Sequence, residues 1–269
     1  MNIFISADIE GISGVVLPDH TTYEHKEFER FRRLMTAELN AAIEGALAGG
    51  ASRIIVNDSH GRMSNILIEE LNPKAELISG SPKPFGMMQG IGPEIDCLFF
   101  IGYHAASGSQ AAVLEHTSND RVIGLSLNGR AVGELGMNAA LAGYFNKPVV
   151  LVTGDAAVTR EAVSLLGDIE TVTVKEGITR TSALCLNPQV SGPKIHEAAQ
   201  RALKIGGSVF TIAPPIRMRI VFHRASHADM AALIPETIRI DGRTVEWIGE
   251  DMAVLYQVYR AMLALSASA

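Results

Sequence analysis

The sequence predicts an α/β protein: a Rossmann-like catalytic domain built on a parallel sheet, followed by a second, smaller α+β domain. Three observations predict it. Four short apolar runs, Asn2 to Ala7, Arg53 to Val56, Leu98 to Tyr103 and Val149 to Val152, alternate with helical patterns, as parallel strands buried on both faces do. Past Leu186-Asn187-Pro188 the order changes to segregated helix and strand patterns. The chain has 269 residues and 47% hydrophobic content, enough to bury a large core without staples.

Taken in order, the first strand runs into two carboxylates, Asp8 and Glu10. In an extended strand, residues i and i+2 share a face, so the pair would repel and raise each other's pKa unless a cation joins them. From Tyr23 to Leu47 a charged half, EHKEFERFRR, and an Ala-rich half predict one amphipathic helix ending at Gly49-Gly50, its charges a solvated face. The alternation in VIGLSLNGR and the Asn128-Gly129 turn predict antiparallel β-structure over Val113 to Asn128, ahead of a helix from about Glu134 to Tyr144. Beyond residue 187 the patterns predict a helix over Val190 to Lys204 and a strand over Met218 to Phe222. A short helix over His227 to Leu233, a hairpin over Ile238 to Ile248 and a closing helix over Asp251 to Leu265 follow. The expected domains are therefore 1–186, α/β and metal-binding, and 187–269, α+β.

Composition narrows the function. A net charge of -6 without any cluster of Lys and Arg argues against nucleic acid as a partner. Cys97 and Cys185 form neither a disulfide framework nor a C-x-x-C metal pair, which fits a reducing cytoplasm. The N-terminal run lacks a basic n-region and a small-residue cleavage site, and no apolar run approaches ~18 residues. The expectation is a cytoplasmic protein that does not enter a membrane.

Ligands of open α/β sheets bind at the carboxyl ends of the strands, where strand order reverses. Asp8 and Glu10 follow the first strand, His60 follows the second and His104 the third; Glu134 opens the helix behind them. Each is a zinc-type ligand. Taken singly, Asp8 reads as a turn or helix cap, each histidine as a surface or satisfied residue, and Glu134 as a charge favoured at a helix N-terminus. Together they suit two ions roughly 3.5–4 Å apart that share Asp8, because five ligands serve two sites only if one bridges. Asp58 either caps the turn before His60 or orients its imidazole. His223 and His227 in HRASH have i, i+4 spacing but lack the glutamate of H-E-x-x-H, and the segment changes from strand to helix between them. Asp155 reads as a helix cap; His20, His25 and His196 read as surface residues.

In this order the segments resemble the M55 peptidase family, the D-aminopeptidases of the dipeptide-transport operon type. Ser6-Ala7-Asp8-Ile9-Glu10-Gly11 matches its opening S-x-D-x-E-G, and Val56-Asn57-Asp58-Ser59-His60 its second block. Ser79-Gly80 with Lys83-Pro84-Phe85, Gly102-Tyr103-His104-Ala105 and Gly133-Glu134-Leu135-Gly136 match later ones. The resemblance covers most of the chain. It implies an aminopeptidase with two zinc ions on Asp8, Glu10, His60, His104 and Glu134, and a catalytic histidine at His116 in Leu114-Glu115-His116-Thr117. It also implies a ring-like decamer enclosing the active sites, and short peptides with an N-terminal D-residue such as D-Ala as substrates. The other reading of His116 is a cleft-facing structural histidine on an antiparallel strand. Carboxylate and imidazole ligands also suit manganese, iron or cobalt. The D-preference comes from the resemblance alone, which leaves as alternatives an amidase, an aminopeptidase of other stereochemistry, or a non-catalytic metal-dependent peptide-binding module.

Overall fold

The computed structural model describes all of Met1–Ala269. Seven strands form the main sheet: β1 (Asn2–Ala7), β2 (Arg53–Asp58), β3 (Ala75–Ile78), β4 (Cys97–Tyr103), β7 (Val149–Asp155), β8 (Glu170–Thr179) and β9 (Ser182–Cys185). Their spatial order is β3-β2-β1-β4-β7-β8-β9, all neighbours parallel except the β8–β9 hairpin. The chain winds outward from β1 through β2 to β3, then returns to the other side of β1 for β4. Strand order therefore reverses between β1 and β4, which opens a crevice at their carboxyl ends.

Alternate residues of β1 feed two cores. Ile3 and Ile5 pack under α1 (Phe28–Ala48) and α4 (Pro188–Ile205), while Phe4 faces the core shared with α2 (Glu134–Tyr144), α3 (Ala156–Leu166) and α6 (Met252–Ser266). A second, antiparallel sheet joins that core, in the order β11-β12-β10-β5-β6. Its members are β5 (Val122–Leu127), β6 (Arg130–Ala131), β10 (Ile216–Phe222), β11 (Ile238–Arg239) and β12 (Thr244–Gly249), and α5 (Ala225–Ala231) packs beside them. The expected α/β architecture, parallel sheet plus antiparallel elaboration, is present.

Several details differ from expectation. β1 stops at Ala7, so Asp8 and Glu10 lie in the turn that follows and not on a continuing strand. α1 begins at Phe28, not Tyr23, because the preceding residues fold as turns tied to the 3-10 segment Pro18–His20. Antiparallel structure begins at Val122, which leaves His116 in an irregular segment. α3, β3, β8 and β9 were not among the expected elements. The two sheets do not follow a division at 186/187: β5 and β6 pair into the sheet of β10, while α4 packs on α1.

Candidate metal centre

The crevice is built by close backbone contact. Asp8 N donates to Ile101 O at 2.8 Å and Gly11 N to Gly102 O at 2.8 Å, which lays the turn after β1 across the end of β4. A Cβ at Gly11 would lie 1.9 Å from Tyr103 O, and one at Gly102, whose φ is 70°, would lie 2.2 Å from Asp8 O. Only glycine permits this approach. That is the physical content of the glycine in the D-x-E-G motif: it lets two carboxylates reach the neighbouring strand end.

From β8, the buried Lys175 locks the same turn. Its ammonium donates to the carbonyls of Glu10, Ile12 at 2.9 Å and Val15 at 2.5 Å. Burial pushes its pKa down to about 8. After β2, Asp58 accepts from Asn65 N and Ile66 N, and Asn65 Nδ2 donates both to Asp58 and to His60 O. Asp58 thus caps the turn and does not touch the imidazole of His60. Asp155 is the N-cap of α3, accepting from Val158 N at 2.8 Å, and also receives Val113 N.

All five expected ligands and His116 converge. His60 Nδ1 lies 3.0 Å from Glu10 Oε1 and 3.4 Å from Asp8 Oδ1. His104 Nε2 lies 3.6 Å from Asp8 Oδ2 and 3.4 Å from Glu134 Oε1. His116 Nε2 lies 3.4 Å from Glu134 Oε1, and its ring stacks on His104 at 4.1 Å between centroids. Asp8, Glu10, His104 and Glu134 are buried, while the side chain of His116 is 21% exposed at the rim. His223 and His227 lie elsewhere, on either side of the β10–α5 junction.

The donor set fits divalent cations. Each imidazole bonds a main-chain carbonyl through its outward nitrogen: His60 Nε2 to Thr21 O, His104 Nδ1 to Ala105 O, and His116 Nδ1 to Leu114 O. This fixes the tautomers that turn the other nitrogen inward, the arrangement that supports metal-bound histidines. His104 Nε2 is buried without a hydrogen-bond partner between two carboxylates. Burial opposes charge at Asp8, Glu10, His60, His104 and Glu134, yet the mutual attractions win at His60 and His104. Against burial, Glu134 and Asp8 raise His104 to about 10, and Glu10 and Asp8 raise His60 well above its usual value. Burial and the adjacent Glu10 push Asp8 up to about 7; at Glu134, burial is outweighed by His104, which brings it down to about 2. The site stabilises positive charge where ions would sit.

Two cavities meet here. One, of about 170 Å³, is lined by Asp8, His60, His116, Glu134, Met87 and Arg260 among others. The second, of about 310 Å³, reaches Glu10 and His116 from the side of Thr21, Arg121 and Arg180. Sequence reasoning missed Lys175, which has no local signal in the mixed strand ETVTVKEGIT, and Arg260, whose only signal was a cation inside a largely apolar helix. It also missed Ser118, whose N–H donates to Glu134 at 2.6 Å, and Tyr259, which hydrogen-bonds Ser118 Oγ.

A family model described as D-aminopeptidase matches residues 1–261. A D-aminopeptidase of Bacillus subtilis (strain 168) is 38% identical over 271 residues, spanning 99% of this chain and 98% of that protein. The fold is similar to a solved structure described as the Zn-dependent D-aminopeptidase DppA from Bacillus subtilis, a self-compartmentalizing protease. The TM-score is 0.97 at 35% identity, over 100% of this chain and 99% of that one.

Proposed function

We propose, on the premise that this chain belongs to the M55 D-aminopeptidase family, that it is a zinc-dependent enzyme releasing the N-terminal residue, a D-amino acid such as D-Ala, from short peptides. The observation that carries the reading is the convergence of three carboxylates and three imidazoles at the sheet's switch point, every imidazole anchored outward on a carbonyl and turned inward to a carboxylate. Asp8, Glu10, His60, His104 and Glu134 would hold two zinc ions, with Asp8 offering one oxygen to each half. When bound, the ions supply Lewis acidity toward a water and the scissile carbonyl.

The chain's own residues do the rest. The Leu114 carbonyl holds the His116 ring with Nε2 directed into the site, where it is placed to take a proton and return it to the leaving amine. Ser118 N steadies Glu134, and the Lys175 ammonium keeps the Glu10 turn in place. The relative described as self-compartmentalizing supports a closed homo-oligomer, in the family's form a ring-like decamer. No helix is long and apolar enough to cross a membrane, and a cytoplasmic location accompanies this reading.

The test is purified protein assayed on paired D- and L-aminoacyl amides and dipeptides, with zinc content measured alongside. Cleavage of the D-compounds, lost on chelation and restored by zinc, is expected. Full turnover after complete chelation, or cleavage confined to L-compounds, would overturn the reading.

A further inference from the structure

One guanidinium lines the pocket of about 170 Å³ beside Asp8, His60 and Glu134: that of Arg260, on the last helix. It forms no ion pair with either acid of that pocket, and its Nε is sealed from solvent without an acceptor. The group lies flat against Gly86, where an added Cβ would come within 2.9 Å of its Cζ, so no side chain stands between it and that wall. The nearby cation Lys83 is already committed, donating to Asn57 Oδ1 at 2.7 Å and Asp58 O at 2.6 Å. A permanent charge held partly out of water without a counter-ion is unfavourable unless a ligand supplies one. A planar guanidinium fork fits a carboxylate with two parallel hydrogen bonds.

We propose that Arg260 is the subsite for the substrate's terminal carboxylate, which makes free dipeptides the preferred substrates: amino end at the metal centre, carboxylate on the guanidinium. This rests on the aminopeptidase reading above. Two extended residues span at most about 7 Å, a length commensurate with a cavity of about 170 Å³. The closing helix α6 thereby contributes to substrate choice, while the proposed ligands come from the segments just after β1, β2 and β4 and from α2.

The test is calorimetric binding of an uncleavable D-Ala-D-Ala isostere with a reduced central bond, as free acid and as C-terminal primary amide, to the zinc-loaded protein. Wild type is expected to bind the acid roughly 10–100-fold tighter, the range for a charge-assisted pair of hydrogen bonds. In R260Q the two Kd values should converge to within about threefold, and R260K, which keeps the charge but loses the fork, should fall between. Equal affinity of wild type for acid and amide overturns the proposal with no variant needed. So does an R260K indistinguishable from wild type, or a preference kept in R260Q and lost in R121Q or R180Q, the two cations of the neighbouring cavity. Acid-selective binding without cleavage of D-Ala-D-Ala itself would remove the peptidase reading and leave the subsite standing.

Discussion

Asp8 presents Oδ1 to His60 and Oδ2 to His104, at 3.4 and 3.6 Å. A ligand facing both halves of the centre cannot be lost from one alone. Asp8→Asn is therefore expected to strip zinc from both positions and abolish turnover, whereas His104→Ala should chiefly weaken one; metal analysis of the purified variants decides it. His116 occupies a different position, at the rim, with Nε2 near Glu134 and Nδ1 on Leu114 O. His116→Ala is expected to keep its zinc and slow kcat by roughly 10²–10⁴-fold, the effect of removing a positioned proton-transfer group. An unchanged kcat at full zinc content would return His116 to a structural role. The five proposed ligands were legible because each follows a strand end or opens a helix, at the edge of the sheet where the crevice lies. The blander readings were partly right as well: Asp8 also accepts from Ile9 N at 2.9 Å, and the carboxylate of Asp58 caps the turn before Asn65 and Ile66.

At the element scale, Glu38 joins three segments. Buried on α1, it accepts from Ser13 N in the turn after β1 and from Ser191 Oγ on α4, and its second oxygen has no partner. Burial raises its pKa from 4.5 to about 7. The fold therefore binds a proton that the unfolded chain releases. The resulting stability is fully present below about pH 4.5 and is lost as pH rises through about 7, amounting to about 3 kcal/mol. Glu38→Gln should remove this dependence, so chemical denaturation from pH 5 to 8 is expected to show the variant gaining on wild type by about that amount. Parallel profiles would contradict it. The amphipathic pattern of α1 announced its buried face, and the N-terminal turns that shorten it are held by side-chain to backbone bonds such as those of Thr21 and Thr22 with Pro18 O. Local pattern carries no record of such competition.

At the scale of the whole molecule, several apolar side chains remain outside, among them Ile178 at 71% and Leu184 at 68% exposure on the β8–β9 hairpin, with Ile68 at 69%. An assembly would cover such residues, and closed symmetry would repeat each contact around it. Light scattering coupled to gel filtration is expected to show a closed oligomer of many chains. If its chamber encloses the active sites, short D-aminoacyl peptides should be cleaved while a folded protein ligated to an N-terminal D-Ala survives. A fully active monomer that trims both equally fast would contradict it.

By itself the sequence determined the parallel α/β class, the strand ends that carry the carboxylates and imidazoles, and the family to which they belong. Each of these follows from local periodicity and short motifs. Only the tertiary structure decided what closes the site. Lys175 reaches the carbonyls of Glu10, Ile12 and Val15 from another strand of the sheet, Arg260 arrives from the last helix, and β5 pairs with β10 across a long excursion of chain. Such contacts depend on how layers stack and which strand edges meet. A cation on a strand or helix, such as Lys175 or Arg260, carries no local sign of its role until the three carbonyls, or the pocket wall, that it faces have been brought beside it.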